Sequence, residues 1–210
     1  MISVYLVDDH AMVRAGFCRL LETETDIHVI GEAADGEGAY ADDLIKQADV
    51  VVTDISMPGE GGFGFMRRLL ARDKHAKVLV MSMFDDVAFV RRAMTSGAMG
   101  YISKSDDPEL MAQAIRMVTA GETWVAPILA QQMMSDLRDN KDNPQDLLTA
   151  REFEVFLLLA QGRDVKEIAD ILHLSPKTVG THQTRVFNKL AVKTGAELAR
   201  LAIRLNIISA

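Results

Sequence analysis

The 210-residue chain has little cysteine, and it lacks long apolar runs. Its single cysteine, Cys18, leaves no pair for a disulfide, and because it lies within an apolar helical pattern we interpret it as a small core residue. No apolar run approaches the roughly 20 residues that a membrane-spanning helix needs. The chain does not open with a basic segment, an apolar stretch and a small-residue cleavage site, so we expect no signal peptide. These absences predict a cytoplasmic protein without a membrane partner.

Positive charge is scarce in the first two thirds of the chain. Residues 1–146 carry fourteen Lys and Arg against twenty-four Asp and Glu, which gives a net charge of −10. Residues 147–210 carry nine against six, a net charge of +3. Such asymmetry predicts two domains with different partners. Only the basic part favours nucleic acid as its partner.

Apolar strand patterns alternate with helical patterns throughout the first 120 residues. The predicted strands cover residues 2–7, 27–30, 50–53, 77–82 and 98–102, and the predicted helices cover about 11–23, 36–47, 63–73, 86–96 and 107–120. Strict alternation of this kind is typical of an α/β fold with helices on both faces of a parallel sheet. We therefore expect a doubly wound, five-stranded parallel sheet.

The pattern changes after residue 120. Residues 127–137 have the apolar spacing of a short helix, and residues 138–146 contain no hydrophobic residue, which is typical of a flexible linker. From residue 147 the pattern is entirely helical. Helix starts are predicted by capping residues, namely Thr149 with Glu152, Asp164, Ser175 before Pro176, and Thr194 with Glu197. We expect domains at 1–120 and 147–210, joined by a linker with a short helix at 121–146.

Polar side chains occur at the carboxyl ends of four predicted strands. They are Asp8 and Asp9, Asp54, Ser82, and Lys104. Each has a structural explanation of its own, such as a helix cap, a strand-end hydroxyl or a solvated ammonium group. However, the carboxyl ends of parallel strands lie at one edge of a sheet, where open α/β folds form their binding sites. We therefore expect these five residues to share one site.

The chemistry of these side chains points to phosphoryl transfer. Clustered carboxylates without Cys or His favour a hard cation such as Mg²⁺. Asp54 would act as the nucleophile and form an acyl phosphate. Lys104 would stabilise charge on the phosphoryl oxygens during transfer, and Ser82 would hydrogen-bond one of them afterwards.

The motifs around these residues resemble the receiver domain of two-component response regulators. They are Val7-Asp8-Asp9-His10, Asp54-Ile-Ser-Met-Pro-Gly, Ser82, and Gly97-Ala-Met-Gly-Tyr101-Ile-Ser-Lys104. The resemblance implies that a sensor histidine kinase phosphorylates Asp54. It also implies Mg²⁺ bound by Asp9, Asp54 and the backbone carbonyl of Ser56, with Asp8 assisting. Tyr101 stands where the family has an aromatic residue that turns inward when the Ser82 position engages the phosphoryl group.

The last 64 residues have helix-turn-helix spacing. An apolar helical pattern ends near Leu174, and a second helix starts at Pro176 and runs to about Leu190. A plain helical bundle would explain the apolar spacing equally well. It would not explain the polar run of the second helix, which offers groups for base edges and cations for phosphates. That run comprises Lys177, Thr178, Gly180, Thr181, His182, Gln183, Thr184, Arg185, Asn188 and Lys189.

This part of the chain resembles LuxR-type DNA-binding domains in its Leu148-Thr149-Ala-Arg151-Glu152 and Leu174-Ser175-Pro-Lys177-Thr178-Val179 motifs. With a receiver before it, the resemblance implies the NarL/FixJ class of response regulators. The middle of the recognition helix often carries Lys or Arg in this family, whereas here it carries Gly180, Thr181 and Thr184. Gly180 costs the helix about 0.5–1 kcal/mol relative to Ala, and it either lets the backbone approach the groove or is a neutral surface glycine.

The expected DNA-binding residues lie on the second helix of this motif. We expect Lys177, Arg185 and Lys189 to contact phosphates, and the full predicted set is Lys177, Thr178, Gly180, Thr181, His182, Thr184, Arg185 and Lys189. The predicted protein is a transcription regulator rather than an enzyme. Phosphorylation would favour a homodimer that binds double-stranded promoter DNA at two half-sites about one helical turn apart.

Two alternative functions are compatible with parts of this pattern. An aspartyl-phosphate hydrolase usually has a second Asp two residues after its nucleophile, and here that position is Ser56. A phosphorylation-independent DNA-binding regulator would use a degenerate receiver only for dimerisation. The complete set of acidic residues argues against the second alternative.

Overall fold

The computed structural model describes residues 1–85, 87–127, 129–131, 147–205 and 207–208. The chain forms two compact units, one built mostly from residues 1–130 and the other mostly from residues 131–210. In the described ranges no helix combines the length and apolar character needed to cross a membrane. The predicted linker at 138–146 and the second half of the helix predicted at 127–137 lie outside the described residues.

The first unit alternates strands and helices, as the sequence predicts. Its strands are β1 (Ile2–Val7), β2 (Ile27–Ala33), β3 (Val50–Asp54), β4 (Val78–Ser82), β5 (Gly100–Ser103) and β6 (Trp124–Val125). Its helices are α1 (Ala11–Leu21), α2 (Gly36–Ala41), α3 (Gly61–Arg72), α4 (Val87–Thr95) and α5 (Pro108–Thr119). The start of α5 confirms Asp107 as its cap, since the Asp107 side chain accepts from the Glu109 amide.

The helix predicted over 36–47 is interrupted. After α2 the backbone turns extended at Asp42, and a 3-10 helix follows at Asp43–Gln47. The Asp42 carboxylate accepts hydrogen bonds from the Leu44 amide and the Tyr5 hydroxyl, each at 2.9 Å. An Asp side chain that bonds nearby backbone in this way competes with helix continuation, which explains the break.

The sheet has six parallel strands rather than the five expected from the sequence. Its order is β2-β1-β3-β4-β5-β6, and every neighbouring pair is parallel. The additional strand, β6, pairs with β5 in the register Gly100 to Trp124, within the segment predicted to be a linker. Trp124 is only 6% exposed, so burial of its ring contributes to holding the strand there. Two residues are too few for a period-2 pattern to reveal a strand.

Strand β3 lies inside the sheet and ends at Asp54. All five of its residues are buried, between β1 on one side and β4 on the other. The strand order reverses between β1 and β3, which makes this edge the topological switch point where α/β sheets bind ligands. The fold therefore places the Asp54 carboxylate at the position expected of a binding site.

The second unit is helical, as predicted. Its helices are α6 (Ala150–Ala160), α7 (Val165–Ile171), α8 (Pro176–Lys189) and α9 (Gly195–Arg204). Nine residues of α6, Glu152 to Ala160, are buried, so α6 is the central helix of this unit. The core is completed by buried residues of the other three helices, among them Ile168, Val179, Val186, Leu198 and Ala202.

Capping residues set the helix starts of this unit much as the sequence predicts. Thr149 and Glu152 form a complete capping box, and the Asp164 and Ser175 side chains accept from amides of the first turns of α7 and α8. The capping box expected from Thr194 and Glu197 is only half formed. Thr194 accepts from the Glu197 amide, but the Glu197 carboxylate accepts from the Lys193 amide, one residue earlier than a box requires.

Candidate functional site

The predicted acidic residues meet at the carboxyl edge of the sheet. The Lys104 ammonium group lies 2.8 Å from the Asp54 carboxylate and 2.7 Å from the Asp8 carboxylate. Potential ligand atoms of Asp8, Asp9, His10 and Asp54 all lie within 4.8 Å of one another. The side chains of Asp8, Asp54 and Lys104 are at most 3% exposed, and that of Asp9 is 12% exposed. Three carboxylates therefore share one partly enclosed site with a single lysine.

Burial dominates the electrostatics of Asp54. Loss of solvent raises the pKa of its carboxyl group, and the nearby Lys104 ammonium group offsets only part of that rise. Burial also acts to lower the pKa of Lys104, but the charges of Asp54 and Asp8 outweigh it and raise that pKa. The second oxygen of Asp54 accepts from the Ser56 amide at 3.1 Å. Both carboxylate oxygens of Asp54 are thus held by protein donors in a fixed orientation.

His10 adds an imidazole that the sequence pattern does not assign to the site. Its Nδ1 atom lies 2.9 Å from Asp9 and 3.5 Å from Asp8, and its backbone amide donates to the Asp8 carboxylate at 2.8 Å. Arg14 donates to the Asp8 backbone carbonyl at 2.6 Å. The sequence could have indicated His10 as a site residue only because it directly follows the Asp8-Asp9 pair.

Ser82 and Tyr101 are both hydrogen-bonded to the backbone of Phe84. The Phe84 amide donates to the Ser82 hydroxyl at 3.1 Å, and the Tyr101 hydroxyl donates to the Phe84 carbonyl at 2.6 Å. The Tyr101 side chain is buried, and the rings of Phe84 and Phe89 stack at 4.1 Å. The loop after β4 is therefore tied on one side to the end of β4 and on the other to β5.

The polar residues of α8 separate into an outer and an inner set. Lys177, Thr181, Thr184 and Arg185 are exposed, whereas Thr178, Gly180 and His182 are only half exposed. The turn before α8 is sharp, because His173 adopts a left-handed conformation with φ of 51° and the Leu174 amide bonds back to the Ala169 carbonyl at 2.9 Å. The structure thus has the two helices and the short turn of a helix-turn-helix.

Two of the predicted DNA-binding residues have partners or neighbours within their own unit. The Lys189 ammonium group lies 2.6 Å from the buried Glu152 carboxylate. Burial lowers the pKa of His182, and the charges of Arg151 and Arg185 lower it further, against an opposing effect of Glu152. Both side chains thus lie near the start of α6. The order of residues along α8 could not predict this, because it contains no information on how α8 packs against α6.

Comparison with known proteins agrees with this division into two units. Residues 4–116 match the response regulator receiver domain family, and residues 146–202 match the luxR family of bacterial regulatory proteins. The chain is 40% identical over 212 residues to the response regulator GacA of Pseudomonas aeruginosa, with 100% of this chain and 99% of that protein covered.

The solved structures that match almost the whole chain include ChrA and RcsB. The response regulator ChrA of a heme-sensing two-component system is 34% identical, with a TM-score of 0.54, and the match covers 99% of this chain and 98% of ChrA. RcsB from Salmonella enterica serovar Typhimurium, bound to the promoter rprA in the presence of the phosphomimetic BeF3-, is 25% identical, with a TM-score of 0.64 and 99% of each chain covered.

The family matches identify the first unit as a receiver and the second as a LuxR-type helix-turn-helix domain. Proteins of this family regulate transcription through DNA binding and are not enzymes, which removes the aspartyl-phosphate hydrolase alternative. The chain belongs to the two-component response regulators of the NarL/FixJ class.

Proposed function

We propose that Asp54 accepts a phosphoryl group from a sensor histidine kinase and that this event switches binding of α8 to promoter DNA. The observation that carries the proposal is the buried Asp54 carboxylate, held 2.8 Å from the Lys104 ammonium group at the switch point of the sheet. A fixed carboxylate beside a fixed cation suits a nucleophile whose product carries additional negative charge.

The transfer forms one bond and breaks one. An oxygen of the Asp54 carboxylate attacks phosphorus, the bond between phosphorus and the phosphohistidine nitrogen of the kinase breaks, and that nitrogen keeps the electron pair. The product is an acyl phosphate on Asp54. Lys104 holds the carboxylate before transfer and faces the phosphoryl oxygens afterwards. The Ser82 hydroxyl, at the end of the neighbouring strand, accepts from the Phe84 amide and would donate its own proton in a hydrogen bond to a phosphoryl oxygen.

The donor set of the site fits Mg²⁺. Asp8, Asp9 and Asp54 supply carboxylate oxygens within 4.8 Å of one another, and a single lysine balances only one of their three charges. Among the described residues the buried Ser56 hydroxyl has no hydrogen-bond partner, so the site retains polar capacity beside Asp54. We propose Asp9, Asp54 and the Ser56 backbone carbonyl as ligands, with Asp8 assisting. When bound, the ion would supply positive charge that reduces repulsion between the carboxylates and the incoming phosphoryl group.

Labelling with acetyl phosphate tests the acceptor assignment. In the presence of Mg²⁺ the wild-type chain should gain the mass of one phosphoryl group, and the Asp54→Asn variant should gain none. Asp43→Asn is the matched control, because Asp43 is an exposed carboxylate paired with Lys46 on the surface. Label retained on Asp54→Asn would disprove the assignment.

The output we propose is binding of a homodimer to double-stranded promoter DNA. Lys177 and Arg185 are exposed cations on α8 and suit phosphate contacts, and the remaining predicted contacts stand on the same helix. RcsB, which is 25% identical, has been solved on a promoter with a phosphomimetic present. Binding to promoter DNA would place the protein in the cytoplasm. We also propose domain limits of 1–120 and 147–210, joined by a segment over 121–146 that begins with β6.

Selection of genomic fragments tests the switch. The phosphorylated wild-type chain should retain specific double-stranded fragments, and the unphosphorylated chain and Asp54→Asn should retain far less of them. Equal affinity of all three forms would instead support the phosphorylation-independent regulator with a degenerate receiver. Half-sites about one helical turn apart in the retained fragments would support the dimer.

A further inference from the structure

The outward face of α8 has uncharged threonines at its centre. Lys177, Thr181, Thr184 and Asn188 recur at helical spacing and are all exposed. Val179 and Val186, on the opposite face, are buried in the core of the unit. A groove facing α8 would therefore meet Thr181 and Thr184 between a lysine at one end of the row and an asparagine at the other.

The hydroxyl groups of these two threonines are directed to the helix itself. Thr181 donates to the Lys177 carbonyl at 3.1 Å, and Thr184 donates to the Gly180 carbonyl at 2.9 Å. Each hydroxyl proton is thus used inside α8. What remains for a ligand is the methyl group of each side chain and a lone pair on each oxygen.

Gly180 has no packing reason to be a glycine. A Cβ atom added at Gly180 would meet no atom within 4 Å, whereas one added at Gly62 would overlap the Asp54 carbonyl. Gly180 is also not among the glycines with a positive φ angle. A glycine inside a helix lowers its stability, and here neither neighbouring atoms nor backbone conformation require it. The missing side chain leaves open space beside Thr184, although Gly180 itself is only half exposed.

We infer that Gly180, Thr181 and Thr184 form an uncharged patch on α8 that contacts thymine methyl groups in the major groove. This inference rests on the proposed function, in which α8 enters that groove. In the major groove only thymine carries a methyl group, and threonine methyl groups contact it directly. Gly180 allows the helix backbone to come close, and Lys177 and Arg185 hold phosphates on either side. Specificity at the centre of each half-site then comes from apolar contact with thymine rather than from bidentate pairing with guanine.

Replacement of thymine by uracil tests the contact, because it removes only the methyl group from the base. Sites are first selected from random double-stranded DNA with the phosphorylated full chain, and each thymine is then replaced by deoxyuridine in turn. We expect one or two positions in each half-site to lose about fourfold in affinity, the value of one buried methyl group. Uniform affinity across all replacements would overturn the inference.

Two variants of Thr184 separate its methyl group from its hydroxyl group. Thr184→Val keeps a methyl group and removes the hydroxyl, and it should retain the wild-type sensitivity to uracil. Thr184→Ser keeps the hydroxyl and removes the methyl group, and it should lose sensitivity to uracil at one position. The opposite result, in which Thr184→Ser keeps and Thr184→Val loses the sensitivity to uracil, would overturn the inference.

Gly180→Ala tests the close approach of the backbone. This variant should melt at a higher temperature than wild type but bind the selected site about tenfold more weakly, the size of one mismatched base pair. Gly16→Ala is the matched control, because Gly16 lies inside α1 and is equally open to a Cβ atom. It should gain thermal stability and keep DNA affinity. Unchanged affinity of Gly180→Ala would overturn the inference alone, whereas failure of the wild-type chain to bind any DNA would overturn the proposed function as well.

Discussion

The Lys189 ammonium group lies 2.6 Å from the Glu152 carboxylate, so the last turn of α8 is tied to the first turn of α6. Glu152 is 3% exposed and also accepts from the Thr149 amide at 2.9 Å as part of the capping box. One ion pair thus connects a helix cap to the end of the proposed recognition helix. It helps to fix the angle at which α8 is presented.

Replacement of Lys189 by methionine should destabilise the second unit. The variant leaves the buried Glu152 carboxylate without its cation, and we expect the free energy of unfolding to fall by about 1–2 kcal/mol. The effect is below that of a fully buried pair because the Lys189 side chain is 39% exposed and water screens the interaction. Urea unfolding followed by circular dichroism measures it. The control is Lys193→Met, which removes an exposed lysine four residues later and should keep the wild-type free energy of unfolding. Equal stability of the two variants would contradict a structural role for Lys189.

Glu152 should also make stability depend on pH. Burial acts to raise its pKa, but the bonds from Lys189 and Thr149 outweigh burial and hold it below the ordinary value of 4.5. A carboxyl group whose pKa is depressed in the folded state stabilises the fold above its unfolded pKa, and this contribution is lost as pH falls through the folded value. The wild-type chain should therefore lose more stability than Glu152→Gln between about pH 5 and pH 3. Glu122→Gln, on an exposed side chain, should follow the wild-type curve, and a Glu152→Gln curve parallel to wild type would refute the assignment.

The acidic site could be predicted because its chemistry follows a local rule. Asp8, Asp54 and Lys104 each come at or just after the end of an apolar strand, and parallel strands bring such ends together. Strand β6 was missed because two residues carry no periodic signal. The pairing of Lys189 with Glu152 was missed for another reason. The two residues are 37 positions apart, and only the packing of α8 on α6 brings them together.

Tyr101→Phe should weaken the coupling between phosphorylation and DNA binding. The Tyr101 hydroxyl donates to the Phe84 carbonyl, and the Phe84 amide donates to the Ser82 hydroxyl, which in our proposal donates in turn to the phosphoryl group. Loss of one hydrogen bond is worth about 1 kcal/mol, so the increase in DNA affinity on phosphorylation should shrink about fivefold. Labelling of Asp54 by acetyl phosphate should be unchanged.

Tyr40→Phe provides the matched control for this prediction. Tyr40 lies in α2, where its ring contacts the guanidinium groups of Arg68 and Arg72. Removal of its hydroxyl should leave both labelling and the increase in DNA affinity at wild-type values. If Tyr101→Phe also keeps the full increase, the Phe84 connection does not transmit the signal.

Gly62→Ala should disturb the site by displacing the backbone of Asp54. A Cβ atom at Gly62 would lie 1.9 Å from the Asp54 backbone carbonyl oxygen, and the Gly62 amide donates to the Ile55 carbonyl at 2.8 Å. Because the clash is with backbone, no side-chain rotation relieves it, and the start of α3 must move away from the end of β3. We expect a loss of about 3 kcal/mol in unfolding free energy and slower labelling of Asp54 by acetyl phosphate. Gly16→Ala, where a Cβ atom meets open space, should be at least as stable as wild type and label at the same rate. Wild-type stability and labelling in Gly62→Ala would show that the loop between β3 and α3 adapts without cost, and that close packing at Gly62 does not position the phosphoacceptor.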